Sequence, residues 1–472
     1  MKQFDKLYIN GKWVQPNNTD IIEVVNPATE SICACVPNGN REDVNAAVAS
    51  ARKAFDGWAH TPAQKRAKIM HAVADEMQRR AGELIDAHVI TMGCPRHLTA
   101  GLHVDAPIAA MRNYAERAAQ MDKVEEKDKV LVYKEPIGVC ALINPWNYPL
   151  HQLIGKVAPA LAAGCTIIAK PAAQTPLQDF IMAEIFEAVS LPAGVFNLVS
   201  GSGSVIGPFL SSHPQVDMVS FTGSTYAGIK VAEAAAPTVK RVCQELGGKS
   251  PYIITEDADL EAAVRYGVED VMLNTGQTCN ALTRMFVPRG CYEKAVGIAK
   301  TVAEENIVGD PNDSSVTMGP MASTSQKQTV LNYIKTGIAE GARLVTGGID
   351  MPQGLHVGAY VNPTVFADVT NEMVIAREEI FGPVLCMIVY DDIEEAIEMA
   401  NDTVYGLASG VYAKNKADAR KIARRIRAGQ CYIQGSYFNL EAPFGGFKQS
   451  GNGREWGDQA MHEYVEIKAI IA

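Results

Sequence analysis

The segment GQTCNA, residues 276 to 281, places Cys279 among small and polar neighbours, with neither helical nor strand periodicity. A nucleophilic thiol needs access to its substrate, freedom from apolar burial and groups that favour the thiolate. The nearby Gly276 and the scarcity of bulky neighbours suit such a thiol. Backbone N–H groups in a loop of this kind can also face a developing oxyanion. The alternative is a loop cysteine without a role, and this stretch alone favours neither.

A carboxylate precedes two glycines in QELGGKS, residues 244 to 250. Gly247 and Gly248 allow close approach of the backbone or positive φ angles, so this loop can hold Glu245 near a ligand. Such a carboxylate suits a general base that activates water, provided that burial raises its pKa toward neutrality. The alternative, a surface glutamate before a turn, is favoured when the motif is taken alone.

Polar groups also follow apolar runs that are typical of strands. NPWNYP, residues 144 to 149, follows VCALIN, and ligands of open parallel sheets bind at the carboxyl ends of strands. Asn147 is a neutral donor that can stabilise an oxyanion. Its neighbours Trp146 and Tyr148 are more often packing residues, but an asparagine between two aromatics at a strand end is less easily explained by packing.

Two further strand ends carry groups that can bind an anionic ligand. Lys170 ends the run TIIAK and begins KPAAQTP, and Gly223 and Ser224 follow DMVSF and precede a predicted helix, whose N-terminus attracts phosphate. The sequence is not GxGxxG, and the alternatives are a solvated lysine at a turn and a simple helix cap. Three successive strand ends that each carry polar residues or glycine indicate a ligand site more strongly than any one of them alone.

The last two motifs lie in the second half of the chain. In EEIFGPV, residues 378 to 384, Glu379 and Phe381 are suited to holding a polar ring and its sugar, or else form a charged turn. The glycine-rich PFGGFKQSGNGRE, residues 443 to 455, either wraps a substrate mouth or simply turns.

Composition limits the classes of function. The 472 residues exceed one ordinary core, so two or three domains are expected. The net charge of -10 argues weakly against nucleic acid and membrane headgroups as partners. MKQFDKLYINGKWV does not resemble a signal peptide, and no apolar stretch reaches transmembrane length. The chain is therefore expected to be cytoplasmic. Its ten cysteines show no C-x-x-C or clustered His/Cys spacing, so no metal site is expected.

The alternation of apolar and polar residues, together with turn residues, predicts the helices and strands that must position these motifs. LYINGKWV predicts a hairpin with a type I′ turn at Asn10-Gly11, and residues 42–120 are mostly helical in pattern. Short apolar runs then alternate with helical segments, which predicts a parallel sheet covered by helices. A second α/β stretch runs from about 291 to 428, and the final HEYVEIKAIIA predicts an exposed strand in need of a partner.

Taken together, GQTC, ELGGKS, NPWNYP, KPAAQTP, FTGST, EEIFGPV and PFGGFKQSG resemble, in order and spacing, the motifs of the NAD(P)-dependent aldehyde dehydrogenase superfamily, and the resemblance spans essentially the whole chain. It implies that Cys279 attacks the aldehyde carbon to form a thiohemiacetal, whose oxyanion is held by Asn147 and the Cys279 backbone N–H. Hydride transfer to the nicotinamide then leaves a thioester, and Glu245 activates water to hydrolyse it. Acylating relatives that use coenzyme A lack this carboxylate, so Glu245 favours the hydrolytic, non-acylating branch.

The resemblance also implies a cofactor site. Lys170 matches the lysine on the adenosine ribose, Ser224 the residue at the pyrophosphate, and Glu379 the glutamate on the nicotinamide ribose, with Phe381 beside the ring. The expected cofactor-binding residues are Ile143, Asn144, Pro145, Trp146, Lys170, Ala173, Gly223, Ser224, Leu246, Gly247, Glu379 and Phe381. NAD-preferring members usually carry a glutamate at the position of Ala173. Because alanine does not repel a 2′-phosphate and Lys170 attracts one, NADP+ is expected to be accepted alongside NAD+.

The fold that this resemblance implies is α/β and aldehyde dehydrogenase-like. A Rossmann-like cofactor-binding domain would comprise residues 1–118 and 139–246, and an α/β catalytic domain residues 247–449. A β oligomerisation arm would comprise residues 119–138 and 450–472, and would explain a terminal strand that lacks an obvious partner. The implied assembly is a homodimer or homotetramer.

The substrate tunnel departs from the family's better-known patterns. Betaine-aldehyde and many acetaldehyde enzymes place a tryptophan before the lysine of WKxxPAL, and succinic-semialdehyde enzymes an arginine, but here Gly155 precedes Lys156. The missing side chain is expected to widen the tunnel and to favour a medium-sized apolar or aromatic aldehyde. The expected substrate-binding residues are Tyr148, Gln152, Gly155, Thr278, Asn280, Phe438 and Phe444.

Three points stay open at this stage. His151 is assigned to a helix surface, and Asn280 has no assigned function. The alternatives to a broad aldehyde dehydrogenase are a catabolic semialdehyde dehydrogenase and a catalytically silent structural relative.

Overall fold

The computed structural model describes residues 2–471. Its strands, in chain order, are β1 (Lys2–Gln3), β2 (Leu7–Ile9), β3 (Lys12–Val14), β4 (Ile21–Val25), β5 (Ile32–Pro37), β6 (Glu125–Lys127), β7 (Val130–Pro136), β8 (Val139–Ile143), β9 (Thr166–Lys170), β10 (Phe196–Leu198), β11 (Met218–Thr222), β12 (Arg241–Glu245), β13 (Pro251–Ile254), β14 (Arg284–Pro288), β15 (Arg343–Thr346), β16 (Thr364–Ala367), β17 (Val384–Tyr390), β18 (Gly410–Tyr412), β19 (Tyr432–Ile433), β20 (Gly451–Asn452) and β21 (Val465–Ile471).

The α-helices, in chain order, are α1 (Arg41–Ala59), α2 (Ala63–Arg79), α3 (Ala81–Met92), α4 (Arg96–Thr99), α5 (Ala106–Ala118), α6 (Pro149–Ala163), α7 (Leu177–Ala188), α8 (Gly203–Ser212), α9 (Thr225–Ala235), α10 (Leu260–Met272), α11 (Tyr292–Glu304), α12 (Thr324–Ala339), α13 (Val374–Arg377), α14 (Ile393–Asn401), α15 (Lys416–Ala423) and α16 (Gln459–Glu463). A π-helical turn, Ala100–Asp105, joins α4 to α5. None of the described helices is long and apolar enough to cross a membrane.

The first sheet is the predicted parallel sheet, with strand order β20-β12-β11-β8-β9-β10-β2-β3. Its five central strands run parallel, and antiparallel strands close both edges. Every residue of β8, β9 and β11 is buried, because helices cover both faces. The predicted hairpin is confirmed as β2–β3, and Asn10 and Gly11 have the two positive φ values, 54° and 70°, that a type I′ turn requires.

The register of this sheet brings the predicted motifs to one edge. Ile143 at the end of β8 lies opposite Lys170 at the end of β9. On the other side Ile143 lies opposite Phe221 of β11, and Thr222 lies opposite Glu245 at the end of β12. The motifs that follow these strands therefore start side by side at the carboxyl edge of the sheet, where open α/β sheets bind ligands.

The second sheet has strand order β15-β16-β17-β14-β13-β18-β19 and is parallel except for β15. A third, antiparallel sheet has the order β21-β7-β6. Here the terminal strand finds its partner within the chain, since β21 pairs with β7 from Val465 opposite Pro136 to Ile471 opposite Val130. Residues 450–464, grouped with the arm by sequence, instead add β20 to the edge of the first sheet and pack α16 against α6.

Candidate active site

The loop that carries Cys279 is held in a strained conformation. After α10, Asn274, Thr275 and Gly276 have φ values of 53°, 57° and 70°, a left-handed run that is costly for a β-branched threonine. A Cβ at position 276 would lie 2.1 Å from the carbonyl carbon of Gly382, so only glycine lets the two backbones cross there. Gln277, which is fully buried, anchors the loop by accepting a hydrogen bond from the Ala322 N–H at 2.8 Å.

The nucleophile loop is tied to the predicted oxyanion donor. The Asn147 Nδ2 donates to the Gln277 carbonyl at 3.0 Å, and the Asn274 Nδ2 donates to the Asn147 carbonyl at 3.1 Å. One residue further along each segment, the Tyr148 hydroxyl lies 2.8 Å from the Thr278 hydroxyl. Asn147 is buried, and its amide retains a second N–H that this bond does not use.

The surroundings of Cys279 differ from the sequence expectation. The residue is half-buried and packs against a cluster of buried apolar residues rather than standing free. Burial raises the pKa of its thiol above the ordinary value, and the carboxylates of Glu379 and Glu245, followed by Glu455, raise it further. In the chain by itself, the surroundings of Cys279 therefore oppose the thiolate.

Glu245 is buried at the end of β12, so the alternative of a surface glutamate is wrong. Its Oε2 has no hydrogen-bond partner. Burial raises the pKa of Glu245 well above its ordinary value, the Glu455 carboxylate adds to this, and the Lys156 ammonium opposes it. A Cβ at Gly445 would lie 2.7 Å from the Glu245 Oε1, so the glycine-rich loop closes directly over this carboxylate.

Sequence reasoning missed a buried ion pair beside Glu245. The Lys156 Nζ lies 2.7 Å from the Glu455 Oε1, and the side chains are 0% and 7% exposed. Lys156 also donates to the Thr222 hydroxyl at 2.7 Å and to the Gln152 Oε1 at 3.2 Å. The available signal was Glu455 itself, the last residue of the glycine-rich motif, to which no function was given. Gln152, one of the residues expected to bind substrate, accepts this bond from Lys156.

The carboxyl edge of the first sheet presents groups that fit a dinucleotide. Ser224 is the N-cap of α9, accepting from the Ala227 N–H at 3.3 Å, and the helix N-terminus favours phosphate. Lys170 is buried, not solvated, and donates to the Pro171 carbonyl at 2.8 Å. Burial lowers the pKa of Lys170 to about 8, opposed by the charge of Asp179.

The remaining cofactor residues surround the same edge. The Glu379 Oε1 accepts from the Gly248 N–H at 3.1 Å, and burial raises the pKa of this carboxyl to about 7. A Cβ at Gly247 would lie 2.1 Å from the Glu379 Oε2, so that glycine makes room for the carboxylate. Phe381 meets Trp146 edge-on at 5.3 Å. The other predicted members lie on the sheet edge or the loops beside it: Ile143, Asn144, Pro145, Ala173, Gly223 and Leu246.

The predicted widening of the tunnel at Gly155 is wrong. A Cβ at Gly155 would lie 2.8 Å from the Trp456 Cζ2, so the indole already occupies the space that a side chain would fill. Trp456 is buried and has a φ of 62°, in the left-handed region that few non-glycine residues adopt. No sequence motif pointed to it.

Further aromatic rings pack beside Trp456. His151 is not a helix-surface residue, because its ring lies 4.4 Å from Trp456 and 5.3 Å from Phe438. Phe438 in turn lies 6.4 Å from Phe444, and Tyr148 lies 6.1 Å from His151. The predicted aromatic residues are thus brought together, with Trp456 and His151 added.

Asn280 acquires a structural role. Its Nδ2 donates to the Tyr432 hydroxyl at 3.0 Å, which donates to the Gln430 Oε1 at 2.7 Å. The Gln430 Nε2 donates to the Pro443 carbonyl at 2.9 Å. This chain of hydrogen bonds connects the residue after the nucleophile to the glycine-rich loop.

Comparison with known proteins finds one family along the chain. The model of the aldehyde dehydrogenase family matches residues 13–470. A Pseudomonas protein named 3-succinoylsemialdehyde-pyridine dehydrogenase is 46% identical over 472 residues, covering 100% of this chain and 99% of the relative.

Solved structures show the same similarity. A mutant of aldehyde dehydrogenase C from Pseudomonas syringae, complexed with NAD+ and octanal, has a TM-score of 0.98 at 46% identity, covering 99% of this chain and 96% of that one. The Mycobacterium tuberculosis aldehyde dehydrogenase complexed with NAD+ has a TM-score of 0.97 at 42% identity, covering 100% and 98%.

Proposed function

The chain belongs to the aldehyde dehydrogenase family, and from that premise we propose that it oxidises an aldehyde to its carboxylic acid with NAD(P)+ and water. The observation that carries the proposal is the convergence of Cys279, Asn147 and Glu245 at the carboxyl edge of the first sheet.

The chain's own residues account for each protein-side step. The Cys279 thiol releases its proton to solvent water, and the sulfur attacks the aldehyde carbon to give a thiohemiacetal. The free N–H of Asn147 and the Cys279 backbone N–H stabilise its oxyanion. The chemistry that NAD(P)+ supplies when bound is acceptance of a hydride, after which the carbon on Cys279 is at the oxidation level of a thioester. Glu245 then takes a proton from water, and the hydroxide attacks the thioester carbon. The sulfur leaves and takes that proton from Glu245, which restores the thiol and the carboxylate.

The cofactor would lie along the carboxyl edge of the first sheet. Ser224 and the N-terminus of α9 would hold its pyrophosphate, Lys170 its adenosine ribose, and Glu379 its nicotinamide ribose. Complexes of two similar proteins contain NAD+, and Ala173 leaves room for a 2′-phosphate near Lys170. We therefore propose NAD+ as a cofactor and NADP+ as an accepted alternative.

The aromatic lining supports a medium-sized apolar or aromatic aldehyde. Trp456, Phe438 and Phe444 offer rings rather than charges to the substrate, and a similar structure holds octanal. A second candidate is a semialdehyde with a heteroaromatic ring, because a relative is named for a pyridine semialdehyde and such a substrate also needs an aromatic tunnel.

A panel of aldehydes tests both candidates. Reduced-coenzyme formation is measured with octanal, benzaldehyde, succinic semialdehyde and 3-succinoylsemialdehyde-pyridine, with NAD+ and with NADP+. The proposal expects the highest kcat/KM for octanal or for an aromatic aldehyde, and a poor value for succinic semialdehyde. The highest value for succinic semialdehyde would overturn the substrate assignment, and no turnover above that of Cys279→Ala would favour a catalytically silent relative.

We further propose that the first sheet forms the cofactor-binding half, that the second forms the catalytic half, and that the third is an arm for a homo-oligomer. Exposed Ile467, Ile470 and Ile471 on β21 support the last point, because an apolar strand at a sheet edge is a template for a second chain. Light scattering of the chain truncated before Val465 tests it: the wild type should be a dimer or tetramer and the truncated chain a smaller species.

A further inference from the structure

A cluster of metal-binding side chains lies beside Tyr148. His88 of α3, Cys94 between α3 and α4, and His103 of the π-helical turn each place a ligand atom within 4.8 Å of the others. All three are at least 98% buried. The imidazole rings of His88 and His103 stack at 3.8 Å, and His103 stacks on Tyr148 at 4.6 Å.

Most of the nitrogens in this cluster have no partner. The His88 Nε2 and both ring nitrogens of His103 are buried without a hydrogen bond. Leaving a polar atom buried and unpaired is unfavourable, and most buried polar atoms in folded proteins have a protein, water or ion partner. These ring nitrogens are therefore free to act as ligands.

The orientation of His88 suits a metal ligand. With the amide oxygen of Gln178 turned toward His88, that oxygen accepts from the His88 backbone N–H at 3.1 Å and from the Nδ1 at 3.2 Å. The proton of the neutral ring is then on Nδ1, and Nε2 presents a lone pair with no donor opposite it. Histidines that bind metals characteristically donate their other ring N–H to an oxygen in this way.

We propose that His88, Cys94 and His103 form a structural site for a divalent transition metal ion, with Zn2+ as the fitting ion. Imidazole nitrogen and thiolate sulfur are the ligands that zinc prefers. Cys94 releases its proton when its sulfur binds the ion. The side-chain oxygen of Asn274, also buried and unpartnered, supplies the fourth ligand directly or through a water. Zinc–ligand bonds of about 2.0–2.3 Å require the three side chains to approach one another by roughly 1 Å.

A metal ion at this site would hold together the segments on the substrate side of Cys279. It joins α3, the loop at Cys94 and the π-helical turn, and His103 supports Tyr148, whose hydroxyl meets Thr278 beside the nucleophile. A metal here would hold the tunnel wall rigid without contacting the substrate, as closed structural zinc sites do.

Zinc content measures the proposal independently of catalysis. All proteins carry Cys279→Ala, so that the nucleophile cannot hold the ion. Each is stripped with a chelator under partly denaturing conditions, refolded with Zn2+, dialysed and analysed by elemental mass spectrometry. The parent should retain about one zinc per chain and should melt at a higher temperature with zinc than without it. Cys94→Ala and, separately, His88→Gln should retain less than about a tenth as much zinc.

A matched control removes a buried thiol elsewhere. Cys33, which donates to the Val24 carbonyl at 3.3 Å, lies outside the cluster, so Cys33→Ala should retain the parent's zinc. X-ray absorption of the zinc-loaded parent needs no cluster variant and should show one sulfur at about 2.3 Å with nitrogen ligands at about 2.0 Å. A zinc-free parent, equal zinc in Cys94→Ala, or a zinc shell without sulfur would each overturn the proposal. None of these outcomes depends on whether the chain oxidises aldehydes.

Discussion

The cofactor side of Cys279 is made of strand ends, whereas its substrate side is made of side chains from segments far apart in the chain. On the cofactor side, sheet register places Lys170 opposite Ile143 and Glu245 opposite Thr222. On the substrate side, Trp456 fills the space beside Gly155 and His151 packs between rings. Backbone register can be inferred from local sequence patterns, but this type of side-chain packing cannot.

The largest expected effect is at Glu245, where the two sides meet. Glu245→Gln keeps the shape of the side chain but cannot take a proton from water, so kcat should fall by about 10²–10⁴-fold. The first turnover should still release reduced coenzyme, because a thioester forms before hydrolysis. Rapid mixing with excess aldehyde separates the two phases. Glu463→Gln, which changes a carboxylate that affects Glu245 only weakly, should keep kcat within about twofold. An unchanged steady-state rate in Glu245→Gln would remove the base from the mechanism.

The wild-type pH profile should report the same group. Because burial and the Glu455 carboxylate raise the pKa of Glu245, its basic form is populated only at a higher pH than that of an exposed glutamate. The hydrolysis rate should therefore increase with pH until Glu245 is ionised. Glu455→Gln removes a like charge and should shift this increase to lower pH. A shift to higher pH would contradict the assigned electrostatics.

The next largest effect is expected from a substitution at Ala173, which tests the cofactor side alone. Ala173→Glu places a carboxylate three residues after Lys170, where it would repel a 2′-phosphate. The variant should lose on the order of tenfold or more in kcat/KM with NADP+ and little with NAD+. Ala173→Gln is the matched uncharged control and should behave like the wild type. Equal losses with both coenzymes would show that residue 173 acts through packing and not through charge.

The difference between backbone register and side-chain packing also explains which features could be predicted from the sequence. The parallel first sheet, the β2–β3 hairpin, and the positions of Lys170 and Glu245 at strand ends follow from apolar runs and turn residues, all of which are local. The burial of these two side chains was not predicted, because it depends on distant segments. The buried pair Lys156–Glu455 joins residues that no local pattern connects. The expectations at Gly155 and His151 were wrong for the same reason: both positions contact Trp456, which is distant in the sequence. The local sequence does not reveal which distant side chain packs against a given residue.

A smaller effect tests the substrate side. Gly155→Ala places a Cβ 2.8 Å from the Trp456 Cζ2, so the indole must move toward the tunnel. The expected result is a loss of about tenfold in kcat/KM for an aromatic aldehyde and a smaller loss for acetaldehyde, since one methyl group changes such selectivity by about 10–200-fold. Gly207→Ala, in α8 with open space at the Cβ position, is the control for the added methyl. Equal losses for both aldehydes would place the indole outside the tunnel.

The smallest expected effect returns to the cofactor side and uses pH instead of a bulky change. Burial lowers the pKa of Lys170 to about 8, so its ammonium is mostly charged at pH ~7 and mostly neutral at pH ~9. The KM for NADP+ should therefore rise by a few-fold relative to the KM for NAD+ across this range, because only NADP+ has a 2′-phosphate to lose the attraction. Lys170→Arg keeps its charge at the higher pH and should flatten the ratio. If this KM ratio is also independent of pH in the wild type, Lys170 recognises the ribose by hydrogen bonding alone. The preference between the two coenzymes would then depend on the shape of the cofactor side, just as selectivity on the substrate side depends on side-chain packing.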